Sequence, residues 1–231
     1  NQPWNLLKDS AAYTYIKQDN SPYEGLVGGK TSPVFPYDFS KNTEAEQLTL
    51  FTILPAANTF LTDFAIQALS REKLGTHGTT DFLTISYSTP DIAGHTFGPY
   101  SLEMEDMYFR LDQELARLFQ NLDKQVGKGQ YVVFLTADHA VVPVPQFLKD
   151  HQLPGGYLFL KSKSESLRTA CVAKFGKDYL KTIDNENVYL AEEVLGTDLE
   201  PKVISFFQSE ISKWTEVKRV YTKEELVSKS A

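Results

Sequence analysis

Hydrophobic positions along this chain alternate between two rhythms. From Asn58, a plausible N-cap, Phe60, Leu61, Phe64, Ala65, Ala68 and Leu69 recur at helical spacing up to Gly75. Asp81 then leads into Phe82-Leu83-Thr84-Ile85-Ser86-Tyr87, a predicted strand. Ser101 can cap a second helix, in which Met104, Met107, Tyr108, Leu111, Leu115, Leu118, Phe119, Leu122 and Val126 share a face; Gly127 and Gly129 end it. Tyr131-Val132-Val133-Phe134-Leu135-Thr136 is a nearly continuous apolar run, as expected of a strand covered on both faces. Helix–strand–loop–helix–strand–loop is the grammar of right-handed crossovers, which predicts an α/β fold with a mostly parallel sheet, helices on both faces, and the two strands adjacent or nearly so.

Elsewhere the pattern is weaker. Residues 1–50 are aromatic and polar with little periodicity and predict an irregular surface segment with short strands. Beyond Pro143, Leu158-Phe159-Leu160 and Val188-Tyr189-Leu190 read as short strands, and Ser164 to Phe175 and Glu200 to Ile211 as helices. Pro201 falls in the first turn of the latter, where proline is tolerated. Residues 219–226 read as a strand end running into a helix.

Composition narrows the class. Length 231 suits one α/β domain or a large part of a bigger one, and 15 Phe with 12 Tyr in a 42% hydrophobic chain argue for a packed core. A net charge of −7 repels nucleic-acid backbone, so nonspecific nucleic-acid binding is not expected. No run of about 18 apolar residues predicts a membrane span. The single cysteine, Cys171, can form neither an intrachain disulfide nor a cysteine zinc site and is expected to be a small buried hydrophobe. The opening Asn-Gln-Pro-Trp, with no initiator Met, reads as the start of an excised piece, so a missing export signal says nothing about location.

Candidate chemistry lies in two segments. Ser88-Thr89-Pro90-Asp91-Ile92-Ala93-Gly94-His95-Thr96-Phe97-Gly98-Pro99 and Thr136-Ala137-Asp138-His139 each follow a predicted strand, and each presents one carboxylate and one imidazole. Either pair alone is ordinary. Together, on the sheet edge where doubly wound folds bind ligands, they bring Asp91, His95, Asp138 and His139 to one place. Carboxylate oxygen with neutral imidazole suits a divalent metal such as zinc. Two metals a few ångströms apart are the usual machinery for in-line displacement at phosphorus. His77 and His151 match no ligand motif and are expected at the surface; Asp112 is expected on a helix face.

Asp-x-x-Gly-His-x-x-Gly-Pro followed by Thr-Ala-Asp-His resembles the metal-ligand signature of the alkaline phosphatase superfamily. The surrounding residues, including Asp106 to Asp112, are most similar to its phosphate-irrepressible alkaline phosphatase and nucleotide pyrophosphatase/phosphodiesterase branch. The resemblance implies that 1–231 is the C-terminal part of one alkaline-phosphatase-like catalytic domain, with a cap-like insertion at about 150–215. It implies a metal-dependent hydrolase of phosphate mono- or diesters with two zinc ions per intact site. Asp91 and His95 would hold the leaving-group-side metal, and Asp138 and His139 the nucleophile-side metal. A Ser or Thr forms the phosphoenzyme; that nucleophile, a further Asp and a third His match nothing in this chain, so no catalytic residue is assigned. Ala140 stands where the family usually has glycine. An extracytoplasmic, typically periplasmic, location follows from the same resemblance. The alternatives are a phosphodiesterase, phosphoethanolamine transferase, phosphoglycerate mutase or sulfatase of the superfamily, or a non-catalytic binding domain with relic ligands. Cys171-Val172-Ala173-Lys174 lacks the arginine a sulfatase motif requires.

Overall fold

Residues 2–16 and 18–229 are described by the computed structural model, which divides into two units, Asn1–Gln152 and Leu153–Ala231. In the first unit, α1 (Glu44–Phe51) opens with a capping box. The Thr43 hydroxyl accepts from the Glu46 amide, and the Glu46 carboxylate accepts from the Thr43 amide at 2.9 Å. Helix α2 (Pro55–Arg71) starts three residues before the expected cap, with Pro55 in its first turn. Asn58 is therefore no N-cap: it is buried inside the helix, and its side-chain amide donates to Met107 Sδ.

Thr89–Phe97 forms helix α3 in place of the expected loop. Its inward face carries Thr89, Ala93 and Phe97, all buried and spaced by four residues, as one helical stripe requires. Helix α4 (Leu102–Leu122) begins as predicted at Ser101, whose hydroxyl accepts from the Met104 amide at 3.3 Å. It runs into a π-helical turn at Asp123–Gly127, and positive φ at Gly127 and Gly129 ends the helical path. Helix α5 (Pro145–Asp150) closes the unit. Helix α4 packs against both α2 and α3.

The first fifty residues are not a surface segment. Trp4, Tyr37 and Phe39 join Ile53, Ala93, Phe97, Met104 and Met107 in the core, and Tyr13 is buried too. Trp4 and Tyr37 exchange two backbone hydrogen bonds of 2.9 Å. Aromatic side chains at irregular spacing leave no periodic signal, yet each removes a large apolar area from water.

Segments 82–87 and 131–136 carry the residues of strands but no ladder joins them to each other or to any other described residue. Phe82 is 89% and Phe134 90% exposed. A strand is completed by neighbours that satisfy its backbone groups and cover its side chains; neither segment has a ladder partner among the described residues, and only Ile85 and Tyr87 of the first, Tyr87 bonded to the Thr62 hydroxyl, and Tyr131 of the second are half-buried.

In the second unit, α6 (Leu160–Phe175) ends at Gly176, which has positive φ. The expected strand at 158–160 is absent, because Leu160 already begins α6. Strands β1 (Leu180–Asp184) and β2 (Asn187–Leu190) form an antiparallel hairpin. Its two loop residues, Asn185 and Glu186, both have positive φ, as a twist-matched two-residue turn demands. Helix α7 (Glu200–Ile211) coincides with the predicted one, and α8 (Lys223–Lys229) ends the described chain. Cys171 lies wholly buried among Leu167, Leu180, Val194, Val203, Phe207 and Ile211, the small buried hydrophobe that a lone cysteine predicts. The Arg168 guanidinium ties α6 to the hairpin through Asp178 and the Leu180 and Lys181 carbonyls.

Candidate metal centre

Asp91 and His95 sit four residues apart on α3, on the side opposite Ala93 and Phe97. That spacing places a carboxylate and an imidazole one above the other on the solvent face. Asp91 Oδ1 lies 3.6 Å from His95 Nε2. The second segment supplies His139, whose Nε2 is 3.8 Å from the same Asp91 oxygen and 3.7 Å from Asp138 Oδ2. The four sequence-predicted residues thus form a chain of neighbours, His95 and His139 beside Asp91 and Asp138 beside His139.

These separations exceed a hydrogen bond. They are close to the spacing of two ligands around one ion: bonds of about 2.0–2.1 Å at tetrahedral angles put donor atoms about 3.3–3.4 Å apart. The side chains are half or more exposed, except that Asp91 is 46% exposed, so the ligand atoms are open to an incoming ion. Among the described residues no three His, Cys, Asp or Glu side chains are arranged to hold an ion by themselves, so donors here come in pairs. The donor chemistry fits zinc; the donor number fits a site completed by further ligands.

The orientation of His139 is a feature that residue types alone do not convey. Its Nδ1 lies 2.9 Å from the Ala140 carbonyl, and with Nδ1–H donating there, Nε2 is the free nitrogen that faces Asp91. The Ala140 carbonyl first, then the Asp138 and Asp91 charges, hold this imidazole above its ordinary pKa. Ala140 is not among the non-glycine residues with positive φ, so alanine here carries no left-handed strain.

The two motif glycines differ. Gly98 caps α3 at φ 78°, and a Cβ there would lie 2.9 Å from Val144 Cγ2 in the segment that follows the second motif. Gly94 is ordinary helix, and a Cβ there would have only Met104 within 4 Å. His77 pairs with Asp81 at 2.9 Å, His151 stacks on Phe147, and Asp112 is exposed; none joins the centre.

A carboxylate and imidazole set, built from a helix and the turn after an apolar extended segment, has the donor chemistry of a divalent-metal site. Comparison with known proteins gives the particular family. The family model described as type I phosphodiesterase / nucleotide pyrophosphatase matches residues 8–226, and the chain belongs to that family. It is 38% identical over 227 residues to alkaline phosphatase PafA of Elizabethkingia meningoseptica, covering 96% of this chain and 41% of that protein. It is 43% identical over 164 residues to alkaline phosphatase PhoV of Synechococcus elongatus, covering 71% of this chain and 30% of that one. The crystal structure of wild-type PafA superposes with a TM-score of 0.88 at 37% identity, covering 99% of this chain and 44% of PafA. The fold is alkaline-phosphatase-like α/β, of which this helix-rich chain is a part, and the chain spans less than half the length of these relatives.

Proposed function

We propose that this chain is the ligand-bearing part of a zinc-dependent hydrolase of phosphate mono- or diesters. In it, Asp91 and His95 hold one metal and Asp138 and His139 a second. The observation that carries the reading is the approach of His95 and His139 to one oxygen of Asp91, at 3.6 and 3.8 Å, from two segments more than forty residues apart. The names of the relatives support the reaction class. Zinc bound at these side chains would supply positive charge for the phosphoryl oxygens and an acidified oxygen nucleophile.

The chain's own residues prepare the place. Helix α3 fixes the Asp91–His95 spacing by burying Ala93 and Phe97 on its other side. The Ala140 carbonyl fixes the His139 tautomer. In an acidic chain, four metal ligands gathered at one spot concentrate cation charge where a phosphate ester must dock. In this reading the cap-like insertion is the stretch of about 150–215, most of it in the unit that begins at Leu153, and the protein works outside the cytoplasm. Among the described residues no single helix is long and apolar enough to cross a membrane; α1 and α2 pass only as a pair bent by 75°.

The test uses the full-length protein and the 231-residue chain side by side, with nitrophenyl phosphate mono- and diesters and added zinc. The full-length protein is expected to release nitrophenol and to lose activity with chelator or with Asp138→Ala. The chain alone, with two protein ligands per metal, is expected to bind zinc weakly and to be inert. Turnover by the chain alone would mean that it holds an unrecognised nucleophile. A full-length protein that binds zinc but cleaves neither ester would refute the hydrolase reading in favour of a transferase or relic site.

A further inference from the structure

The turn at residues 21–25 touches both segments that carry the motif residues. Its Gly25 amide donates to the Thr96 carbonyl at 2.7 Å. Thr96 follows His95 directly, and its carbonyl is one of those that the last turn of a helix leaves without an internal partner. A Cβ on Gly25 would lie 2.7 Å from that oxygen, closer than a side chain tolerates, and backbone cannot swing aside. Gly25 is not among the glycines with positive φ, so the position needs glycine for this close approach and not for its backbone conformation. Two residues earlier, the Tyr23 ring packs edge-on against Phe147 of α5 with centroids 5.5 Å apart, and its hydroxyl donates to Asp150 Oδ2 at 2.9 Å. Ser21, Tyr23, Phe97, Gly98, Val144 and Phe147 close around one small cavity, where the turn, the end of α3 and the start of α5 meet.

The bridge matters because the two segments are held unequally. Helix α3 is seated on the core by Ala93 and Phe97. Residues 132–142, His139 among them, are exposed throughout, and the first half-buried positions beyond them are 143–145, at the start of α5. The 3.8 Å between His139 Nε2 and Asp91 Oδ1 therefore depends on how α5 is held against the end of α3. Tyr100, just past α3, already meets Phe147 with centroids 4.9 Å apart, and the turn bridges the same joint. We propose that the 21–25 turn is a clamp that sets the spacing between the two halves of the metal centre, with Gly25 and Tyr23 as positioning residues for His95 and His139. Gly25 fixes the α3 end and Tyr23 the α5 end. The clamp's role toward a metal rests on the reading of the site given above.

Contacts that orient ligands from behind are worth about 10–100-fold in metal affinity or activity. Loosening the clamp spreads the separation of the two ligand pairs, so fewer molecules hold both pairs at the spacing that a two-metal site requires.

The test uses the full-length protein with two readouts. Spin labels on Ile92→Cys and Val142→Cys report the spacing of the two segments; Cys171 is wholly buried and does not compete for label. Zinc affinity is measured on the unlabelled proteins by competition with a chelating dye. Gly25→Ala and Tyr23→Ala are expected to broaden the label distances and to weaken zinc binding about 10–100-fold. Tyr23→Phe, which keeps the ring against Phe147, is expected to recover most of both. Gly29→Ala is the control: φ is 78° and a Cβ would have nothing within 4 Å, so it strains a neighbouring turn without touching α3 or α5 and should lower only the melting midpoint. Unchanged distances in the clamp variants would overturn the proposal. So would equal broadening by Gly29→Ala, or broadened distances with zinc affinity intact. If Gly25→Ala fails to fold, Tyr23→Ala against Tyr23→Phe decides. A parent that binds no zinc would refute the metal reading itself, and the label distances would then decide the clamp on their own.

Discussion

Asp106 ties the N-terminal segment to α4, and replacing it by asparagine tests that arrangement quantitatively. The carboxylate is completely buried. Oδ1 accepts from the Leu7 amide at 2.7 Å and the Tyr13 hydroxyl at 2.5 Å; Oδ2 accepts from Trp4 Nε1 and Arg110 Nε, both at 2.6 Å. All four partners donate. Asparagine keeps one oxygen, which can face Trp4 and Arg110. Its amide nitrogen then faces the Tyr13 hydroxyl, whose oxygen already accepts from the Leu7 and Lys8 amides at 3.1 and 3.2 Å, and the Leu7 amide, which keeps only that longer bond. Both bonds to Oδ1 are lost, leaving the Tyr13 O–H without an acceptor, and the two that survive lose the charge on the acceptor. Charge-assisted bonds are worth about 1.5–3 kcal/mol and neutral ones about 1 kcal/mol, while an orphaned buried donor costs about 1–3 kcal/mol. These terms are not additive, and the net expected loss is about 3 kcal/mol. With a urea slope of about 2 kcal/mol per M, the unfolding midpoint falls by about 1.5 M. Glu105→Gln is the control, because Glu105 accepts from the amides of residues 14–16 at a more exposed position; it is expected to cost about 1 kcal/mol or less. Tyrosine absorbance offers a second readout. Burial, and then the bond to Asp106, push the Tyr13 hydroxyl up to about 12, so Asp106→Asn should bring its titration back toward 10. The sign follows from the raised folded value: Tyr13 holds its proton more tightly when folded, so its share of stability is complete below about pH 10 and is lost as pH climbs to about 12. An Asp106→Asn midpoint within about 0.3 M of the parent, roughly 0.6 kcal/mol at that slope, would refute the account of how residues 4–13 are held.

The two motif glycines should separate in a thermal melt. Gly98→Ala forces a Cβ against Val144 at positive φ and is expected to destabilise by about 1–3 kcal/mol, whereas Gly94→Ala, in open helix, should be neutral or stabilise by up to about 1 kcal/mol; equal effects would show that the Gly98 geometry does not matter. The uncovered apolar segments predict that the 231-residue chain self-associates and binds a hydrophobic dye, and that Val132→Thr with Phe134→Ser reduces both without lowering the melting midpoint. A monodisperse, dye-silent parent chain would contradict that expectation.

Sequence alone determined what depends on neighbouring residues. The periodic faces of α4 and α7 and the Ser101 cap were legible, because helix formation is decided over a few turns by spacing and end groups. The residue types of the proposed metal centre could also be read there, because ligand chemistry resides in the side chains themselves. Asn58 misleads for the complementary reason: it has the chemistry of a cap, but Pro55 starts the helix earlier and packing draws Asn58 against Met107. The same limit applies to segments 82–87 and 131–136. Their alternation and apolar runs specify strands, but a strand exists only with a partner, and periodicity carries no information about where that partner is. The tertiary structure decided the rest. It placed Trp4 and Tyr13 on an aspartate some hundred residues away, turned the first metal motif into a helix by burying Ala93 and Phe97, and set His139 against Asp91. Long-range contacts like these depend on which surfaces remain to be covered once local structure has formed, and no stretch of neighbouring residues encodes that.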